Sequence, residues 1–208
     1  MTRNDSLEQA LAAGSGDLAH AAADAAARFA ELAATKGEAE VTYAQVDSPF
    51  GTTSVAATGS GVVAVGLPNR ALDDFLDELA ATVSPRIVEA PGALDEVRRE
   101  LDQYFNGRRE AFELKLDWQL VPGGFYRKVL RATARLPFGV TATYGEIAGK
   151  AGNPRAHRAA GTALGSNPLP IVVPCHRIVR SGGDPGNYGG GPDLKRRLLV
   201  LEGALSES

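Results

Sequence analysis

The stretch from Ile171 to Val179 constrains the fold of this chain more than any other, because it holds the only cysteine among 208 residues. Its first three residues, Ile171 to Val173, are β-branched and apolar, which predicts a short buried strand. Pro174 fixes its own φ and biases the residue before it towards an extended backbone. We therefore expect a stiff strand that delivers Cys175 to a fixed position.

The residues after the cysteine, His176 and Arg177, bear on its reactivity. A free thiol has a pKa of ~8.5, so only a small fraction is thiolate, the nucleophilic form, at neutral pH. Imidazole and guanidinium neighbours increase that fraction. A buried lone cysteine is more often an inert packing residue, but these neighbours favour a reactive Cys175.

A single cysteine permits no intrachain disulfide and no cysteine-rich zinc site, which fits a reducing, cytoplasmic compartment. No apolar run approaches the ~20 residues of a membrane span, and the N-terminus lacks the pattern of a secretory signal. The formal net charge of −3 does not suggest a nucleic-acid binder. Residues 141–182, however, hold five basic side chains and one acidic side chain, a suitable footprint for phosphates.

The first 40 residues are rich in alanine and are interrupted by Gly14-Ser15-Gly16, which predicts an extension that is helical or partly disordered. A docking helix for a partner stays an alternative. From residue 41 the pattern changes to short strand-like runs separated by glycine-containing turns, which predicts an antiparallel meander. These runs are Val41–Val46, Thr52–Ala57 and Val62–Leu67.

Two amphipathic helices are expected after the meander, Asn69–Ala80 and a second one that opens at Pro91-Gly92 and carries Tyr104 among its apolar positions. Residues 86–89 are a further candidate strand. Phe112, Leu114 and Leu116 alternate with polar residues in the manner of a closing strand. We expect a small α+β domain over residues 41–117, a linker over 118–124 and a second domain over 125–208.

The second domain opens with a helix predicted over Phe125–Leu136. Thr143 and Glu146 then have the spacing of a capping box at the start of a short helix. Asn153-Pro154 supplies a cap and a first-turn proline for another helix that runs to about Leu164. Two short helices joined by a tight glycine-containing turn predict a helix-turn-helix.

The second of these helices combines small residues with positive charge. Alanine and glycine leave it with little bulk, while Arg155 and Arg158 lie near its start. Close packing against another helix would explain the small residues, but the arginines favour nucleic acid. Asn167 lies in the loop that follows, where a plain turn role is equally compatible. Glu202 lies at the end of the last helix, unfavourably for the helix dipole, so we expect a compensating partner such as His176.

Six segments with matched spacing over residues 122–203 resemble the O6-alkylguanine-DNA alkyltransferases, the methylated-DNA–protein-cysteine methyltransferases. The meander also resembles, more weakly, the N-terminal domain of that family. The resemblance implies an α+β two-domain fold, with a ribonuclease-H-like N-terminal domain and a winged-helix-like C-terminal domain that carries the cysteine. The matching segments are Tyr144-Gly145-Glu146-Ile147-Ala148, Arg158-Ala159-Ala160-Gly161, Asn167-Pro168, Ile171 through Val179, Gly186-Asn187-Tyr188-Gly189-Gly190-Gly191 and Leu201-Glu202-Gly203.

The implied activity is DNA repair by direct damage reversal. The alkyl group of O6-alkylguanine, and of O4-alkylthymine, moves irreversibly to Cys175, and each protein molecule acts once. The resemblance also implies that His176 and Glu202 activate the cysteine through a water. Tyr144 would crowd a phosphate and donate a proton to the leaving guanine.

The implied partner is double-stranded DNA, entered from the minor groove with the damaged base flipped out of the stack. Arg158 would fill the space of the flipped base, and Asn167 would be the hinge that supports the helix and the cysteine. Remaining DNA contacts are expected from Arg155, Ala159 and Gly161, and base contacts from Ile178, Tyr188 and Gly189. No metal, cofactor, membrane or obligate protein partner is expected, and a monomer suffices.

Departures from the family pattern are few. Leu130 lies near a position where relatives often have a tryptophan, and Gly189 replaces a serine of some members. The metal-binding cysteines of some relatives are absent, so we expect no zinc.

Three alternative functions fit the sequence less well. A non-catalytic relative would lack Cys175, and a plain helix-turn-helix regulator leaves the Pro174–Arg177 segment and Glu202 unexplained. A cysteine hydrolase would need direct pairing of Cys175 with His176, which is awkward for adjacent residues of a strand.

Overall fold

A computed structural model describes residues 21–22, 24–34 and 36–206 of the chain. The interruption predicted at residues 14–16 lies outside this range. Helix α1 covers residues 24–34 and is tied to the body of the protein by Glu31, which accepts a 2.8 Å hydrogen bond from the amide of Gly92. Phe29 of this helix is largely exposed.

The N-terminal half, residues 41–117, is built on a four-stranded sheet with the order β3-β2-β1-β4. The meander is antiparallel as predicted, with Tyr43 opposite Ala56 and Ala56 opposite Ala64. The fourth strand runs parallel to β1, so the sheet is mixed rather than purely antiparallel. The strands are β1 (Val41–Val46), β2 (Thr53–Thr58), β3 (Gly61–Gly66) and β4 (Ile87–Glu89).

Two helices cover the two faces of this sheet because each has an apolar stripe. Helix α2 (Leu72–Thr82) buries Phe75 and Leu79 in a small cluster with strand residues such as Val63. A 3-10 turn, Gly92–Leu94, leads into α3 (Asp95–Phe105), whose Leu101 and Tyr104 are fully buried. Leu101 and Tyr104 belong to a second, larger core cluster. This cluster also contains buried residues of the C-terminal half, so one core spans both halves.

The predicted closing strand at residues 112–116 is wrong. The side chains of Phe112, Leu114 and Leu116 alternate with exposed neighbours and pack on the core, as the pattern indicates. Their backbone, however, meets β3 only through one isolated bridge between Val62 and Leu116. The alternation of apolar and polar residues correctly predicted which side chains face inward, but it does not require the backbone to pair with a neighbouring strand.

The C-terminal half, residues 125–206, contains the predicted helix-turn-helix. Helices α4 (Phe125–Thr133), α5 (Tyr144–Lys150) and α6 (His157–Gly165) pack together around buried residues such as Ile147 and Ala160. The capping box at the start of α5 is present: Thr143 accepts from the amide of Glu146, and the Glu146 carboxylate accepts from the amide of Thr143.

Two helix ends in this half differ from the prediction. Helix α4 ends at Thr133, and a turn in which the Leu136 amide donates to the Thr133 carbonyl follows. Helix α6 begins at His157 without a side-chain cap, because the Asn153 side chain instead accepts from the amide of Arg155 in a separate turn. Asn153-Pro154 therefore shapes the turn between the helices and not the helix start.

The strand predicted at Ile171–Val173 is a turn. Pro170 and Pro174 have no amide hydrogen for a ladder, and Ile171 has a positive φ of 74°. The Val173 amide bonds within the turn to the Leu169 carbonyl at 2.7 Å. All residues from 171 to 179 are buried, so the β-branched run reflected burial and not extended structure.

The segment beyond this turn joins the helix-turn-helix to the last helix. Cys175–Arg177 forms a 3-10 helix, and β6 (Ile178–Val179) pairs in parallel with β5 (Ala142–Thr143), immediately before α5. Helix α7 (Gly191–Leu201) follows, with Pro192 in its first turn. None of the helices in the described part of the chain has the length and apolar character that a membrane crossing requires.

Candidate active site

Cys175 is the first residue of the 3-10 helix, and only 8% of its surface is exposed. Its Sγ lies 3.1 Å from Nδ2 of Asn167, which donates to it and also to the Val173 carbonyl. Burial raises the pKa of the Cys175 thiol, although the Asn167 hydrogen bond and the charge of Lys195 oppose that shift. The resting side chain is therefore a thiol, and it needs a base to become the nucleophile.

His176 is fully buried beside the cysteine, and its Nε2 lies 2.8 Å from Oε1 of Glu202. Because an ionised carboxylate only accepts hydrogen bonds, Nε2 of the neutral ring carries the proton. Nδ1 is then the basic nitrogen, and it has no hydrogen-bond partner in the described part of the chain. Burial lowers the pKa of His176 although Glu202 raises it, so the imidazole is neutral and able to accept a proton.

Glu202 caps the C-terminal end of α7, where an acid needs a compensating charge. The structure supplies His176 and also Arg177, whose Nε and Nη2 donate to Oε2 and Oε1 at 2.8 and 2.9 Å. Burial alone would raise the pKa of Glu202, but the hydrogen bonds from His176 and Arg177 outweigh it and lower the pKa to about 2. Glu202 is therefore a buried anion at neutral pH.

Two contacts of this carboxylate were missed from the sequence. The buried Arg177 was expected only to act on the cysteine, yet it forms a two-point ion pair with Glu202 and donates to the Leu136 carbonyl. Tyr104 was assigned to the core, but its hydroxyl donates to Oε1 of Glu202 at 2.6 Å. Helical spacing correctly placed Tyr104 inside the protein, and nothing local indicated its distant partner.

Gly139 shows how closely the chain packs around the Glu202 backbone. It has a φ of 70°, and a Cβ added there would lie 2.8 Å from the Glu202 carbonyl oxygen. Its amide also points at Glu202 Oε2, at 3.4 Å. A side chain at this position would displace the end of α7 and the carboxylate with it.

Lys195 is a further buried charge near the cysteine that the sequence did not reveal. It follows Leu194 in α7, and its side chain is fully buried and donates to the carbonyl of Ile178. Burial lowers its pKa to about 8, although the charge of a Cys175 thiolate would raise it. Ile178 was expected to contact a base, but its carbonyl oxygen accepts this lysine, and its side chain is buried.

In front of the sulfur is an open cavity of about 630 Å³ that reaches Cys175. The helix-turn-helix forms one wall through Tyr144 and Arg158. The glycine-rich segment forms another through Tyr188 and Gly189. The lining is completed by Gly161, Thr162, Leu164, Gly165, Arg180 and Asn187.

Tyr144 is the first residue of α5, so the capping box fixes its backbone beside the cavity. Its ring packs against Gly161 of α6, where an added Cβ would approach it to 3.7 Å. Burial raises the pKa of Tyr144, although the charge of Arg180 opposes the shift, so its hydroxyl stays protonated at neutral pH.

The small residues of α6 fall into two groups, one packed in the core and one nearer the surface. Ala160 and Ala163 are fully buried, which is the close packing that we considered as an alternative. Ala159 and Gly161 are only partly buried, and Arg158 is exposed at the cavity. Arg155 is exposed too, but neither it nor Ala159 lines the cavity. Within the described residues, no cluster of acidic, histidine or cysteine side chains is arranged to bind a metal.

The pairing of β5 with β6 positions the two walls relative to the sulfur. Ala142 lies opposite Ile178 and Thr143 lies opposite Val179. This pairing places the start of α5, with Tyr144, next to the 3-10 helix of the cysteine. Asn167 completes the connection, since it follows α6 and contacts the sulfur.

Comparison with known proteins gives one consistent result. Residues 41–118 match the family model of the 6-O-methylguanine DNA methyltransferase ribonuclease-like domain, and residues 124–204 match its DNA binding domain. The chain is 39% identical over 160 residues to a methylated-DNA–protein-cysteine methyltransferase of Mycobacterium tuberculosis (77% of this chain, 91% of the relative). It is 36% identical over 162 residues to the protein of that name from Methanosarcina barkeri (77% and 96%).

Solved structures agree with these relatives. The chain resembles the crystal structure of M. tuberculosis O6-methylguanine methyltransferase with a TM-score of 0.68 and 34% identity, covering 81% of this chain and 96% of the other. It resembles the crystal structure of M. tuberculosis OGT in complex with DNA with a TM-score of 0.67 and 36% identity, covering 77% and 92%.

Proposed function

The chain belongs to the 6-O-methylguanine DNA methyltransferase family, and from that premise we propose that Cys175 is its alkyl acceptor. The protein is a methylated-DNA–protein-cysteine methyltransferase that repairs O6-alkylguanine in DNA by direct transfer of the alkyl group. The observation that carries the assignment of Cys175 is its place between an open cavity and a buried His176–Glu202 pair. O4-alkylthymine would present the same kind of alkyl carbon, and we propose it as a second substrate.

The transfer forms one bond and breaks one bond. The Cys175 thiolate attacks the alkyl carbon, the carbon–O6 bond breaks, and its electron pair stays on the guanine. The product is a thioether, which has no water-labile bond, so each molecule reacts once. Tyr144 is the proton donor that we propose for the leaving guanine, because its hydroxyl is protonated and lies on the cavity wall.

The proton of the thiol would leave through a bridging water to Nδ1 of His176. Support comes from the orientation of the ring, since Nε2 is engaged by Glu202 and Nδ1 has no partner among the described residues. The fixed charge of Glu202 would stabilise the imidazolium that forms. Asn167 donates to the sulfur and would stabilise the thiolate.

A stacked guanine does not expose its alkyl group to a protein sulfur, so the base has to flip, at a cost of a few kcal/mol. We propose that Arg158 fills the vacated stack, because it is exposed on the cavity rim. Tyr188 and Gly189 line the pocket for the flipped base. Arg155, Ala159 and Gly161 would contact the duplex through the minor groove, with Asn167 as the hinge of the two elements.

Backbone groups of Ile178 stay a proposed contact of the flipped base. Its carbonyl is bonded to the buried Lys195 and it does not line the cavity. Its amide donates to the Cys175 carbonyl, so any contact with the base would use the second lone pair of the Ile178 carbonyl.

Proposals on organisation follow from the same family assignment. We propose an extension over residues 1–40, an N-terminal domain over 41–117, a linker over 118–124 and a C-terminal domain over 125–208. The two family matches support this division. We also propose a cytoplasmic monomer that needs no metal or cofactor, since the transfer uses side chains of this chain alone.

The assignment is tested with a duplex oligonucleotide that contains one O6-methylguanine. We expect the intact mass of the protein to increase by one methyl group, saturating at one per molecule, with peptide mapping to Cys175. The Cys175→Ala variant is the control and should stay unmodified. Modification elsewhere, or repeated turnover without modification, would contradict the proposal.

A further inference from the structure

Tyr104 connects the N-terminal half to the chemistry of the C-terminal half. It belongs to α3, is fully buried, and its ring packs between Phe112 and Phe138 at centroid distances of 5.3 and 6.2 Å. These rings fix the direction of its hydroxyl. A phenylalanine would fill the same space, so the hydroxyl is not needed to fill the core.

The hydroxyl ends at the oxygen that orients the histidine. It donates to Oε1 of Glu202 at 2.6 Å, and it lies 3.4 Å from Nε2 of His176. The same oxygen accepts from Nε2 of His176 and from Nη2 of Arg177. Burial, followed by the charge of Glu202, raises the pKa of Tyr104 well above its usual value, so it remains a donor at every working pH.

We propose that Tyr104 is a positioning residue for alkyl transfer: its hydroxyl holds the Glu202 carboxylate in place and thereby keeps Nδ1 of His176 as the proton acceptor. The inference rests on the proposed function of Cys175 and His176. It assigns to the N-terminal half, which contributes nothing to the cavity wall, a direct part in the proton relay.

Loss of the hydroxyl leaves Oε1 with two donors in place of three, so the carboxylate becomes more basic. It then attracts the imidazolium more strongly, and His176 holds its proton to higher pH. The other charged or titratable groups near His176 are Arg177, Lys195, Tyr188 and the Cys175 thiol, and none of them changes in this variant.

The test compares Tyr104→Phe with the wild type and with Tyr43→Phe. Tyr43 lies in β1 of the same half and packs in the other core cluster, so its variant controls for the loss of a tyrosine hydroxyl. For Tyr104→Phe we expect the single-turnover transfer rate to fall about 10-fold, the scale of a hydrogen bond to a charged group. We also expect the acidic limb of the pH–rate profile to move to higher pH, with the duplex Kd unchanged.

A packing role predicts something different. It would lower the rate equally at all pH values and leave the acidic limb in place, and that result would overturn the inference, as would an unchanged rate. Thermal unfolding establishes that both variants are folded. If Tyr104→Phe does not fold, replacing Tyr104 by a fluorinated tyrosine, whose hydroxyl is a stronger donor, should move the acidic limb to lower pH; an unmoved limb would sink the idea.

Nitrogen-15 chemical shifts of the His176 ring supply a readout that does not depend on repair activity. We expect the proton on Nε2 in both proteins and an imidazolium that persists to higher pH in Tyr104→Phe, and identical His176 titrations would reject the positioning role. Failure of the proposed function is a separate result, namely a wild-type Cys175 that gains no methyl group.

Discussion

The two sides of Cys175 are built differently. Behind the sulfur, His176, Arg177, Glu202 and Tyr104 are buried and bonded to one another. In front of it, Arg158 and Arg180 are exposed around an open cavity. Removing one partner of a buried ion pair strongly destabilises the folded protein, whereas exposed charges contribute little to its stability. We therefore expect changes behind the sulfur to affect stability and chemistry together, and changes of the exposed arginines in front of it to affect only the reaction with duplex DNA.

The largest effect is expected from Glu202→Gln. This change leaves the Arg177 guanidinium buried without its counter-charge and removes the anion that stabilises the imidazolium. We expect a loss of about 3 kcal/mol in the free energy of unfolding and a transfer rate at least ~100-fold lower. Urea titration and single-turnover kinetics measure both. The matched control is Glu146→Gln at the exposed start of α5, where unfolding should change by about 1 kcal/mol or less. Equal losses in the two variants would remove the distinction between the two sides.

The dependence of stability on acid pH tests the charge of the same carboxylate. The pKa of Glu202 is lowered from 4.5 to about 2 on folding. Its contribution is thus complete above pH ~4.5 and is lost as the pH falls towards 2, by about 3 kcal/mol in total. We expect the stability difference between wild type and Glu202→Gln to shrink across this window in urea titrations. A difference that stays constant would show that the charge of Glu202 is not its stabilising feature.

A surface change should separate binding from chemistry. Arg158→Ala removes the side chain proposed to hold the base out of the stack, so we expect repair of O6-methylguanine in duplex DNA to slow by about 10-fold. Reaction with the free O6-alkylated base and the free energy of unfolding should not change. Arg155→Ala, an exposed neighbour that does not line the cavity, serves as the comparison and should have a smaller effect. An equal loss on duplex and free base would argue against the role of Arg158.

The smallest effect is expected at the helix start that carries Tyr144. Thr143→Ala removes the cap of α5 and should lower the free energy of unfolding by about 1 kcal/mol, with little change in reaction with the free base. Thr82→Ala at the end of α2, where the hydroxyl bonds back to the Glu78 carbonyl, should stay within ~0.5 kcal/mol of the wild type. Thermal unfolding of the two variants decides whether the capping box contributes as the geometry suggests.

Local signals predicted most of the fold. The meander followed from short runs between glycine turns, and the capping box at Thr143 and Glu146 followed from a spacing of three residues. The prediction was wrong where the same apolar composition suits both a buried strand and a buried turn. Residues Ile171–Val173 are β-branched because they are buried, and the prolines on either side, together with the positive φ of Ile171, make them a turn.

The site was predicted as far as neighbouring residues and family resemblance allow. His176 and Glu202 were expected to meet, and the structure brings them to 2.8 Å. Tyr104 and Lys195 were missed because their partners lie 98 and 17 positions away along the chain. Helical periodicity places such a residue inside or outside, but it carries no information about which distant group its polar end will contact.

The outer edge of strand β3 has a consequence for how the protein can be divided. The Val62 amide donates to the Lys115 carbonyl, and the Val65 amide donates to the carbonyl of Pro168, which follows the helix-turn-helix. Unpaired strand edges recruit other chains. A fragment that ends at residue 117 would lose the Pro168 contact. The backbone of β3, a strand with apolar side chains, would then be unpaired at its outer edge, so we expect the fragment to aggregate. The C-terminal half thus protects the N-terminal half from self-association.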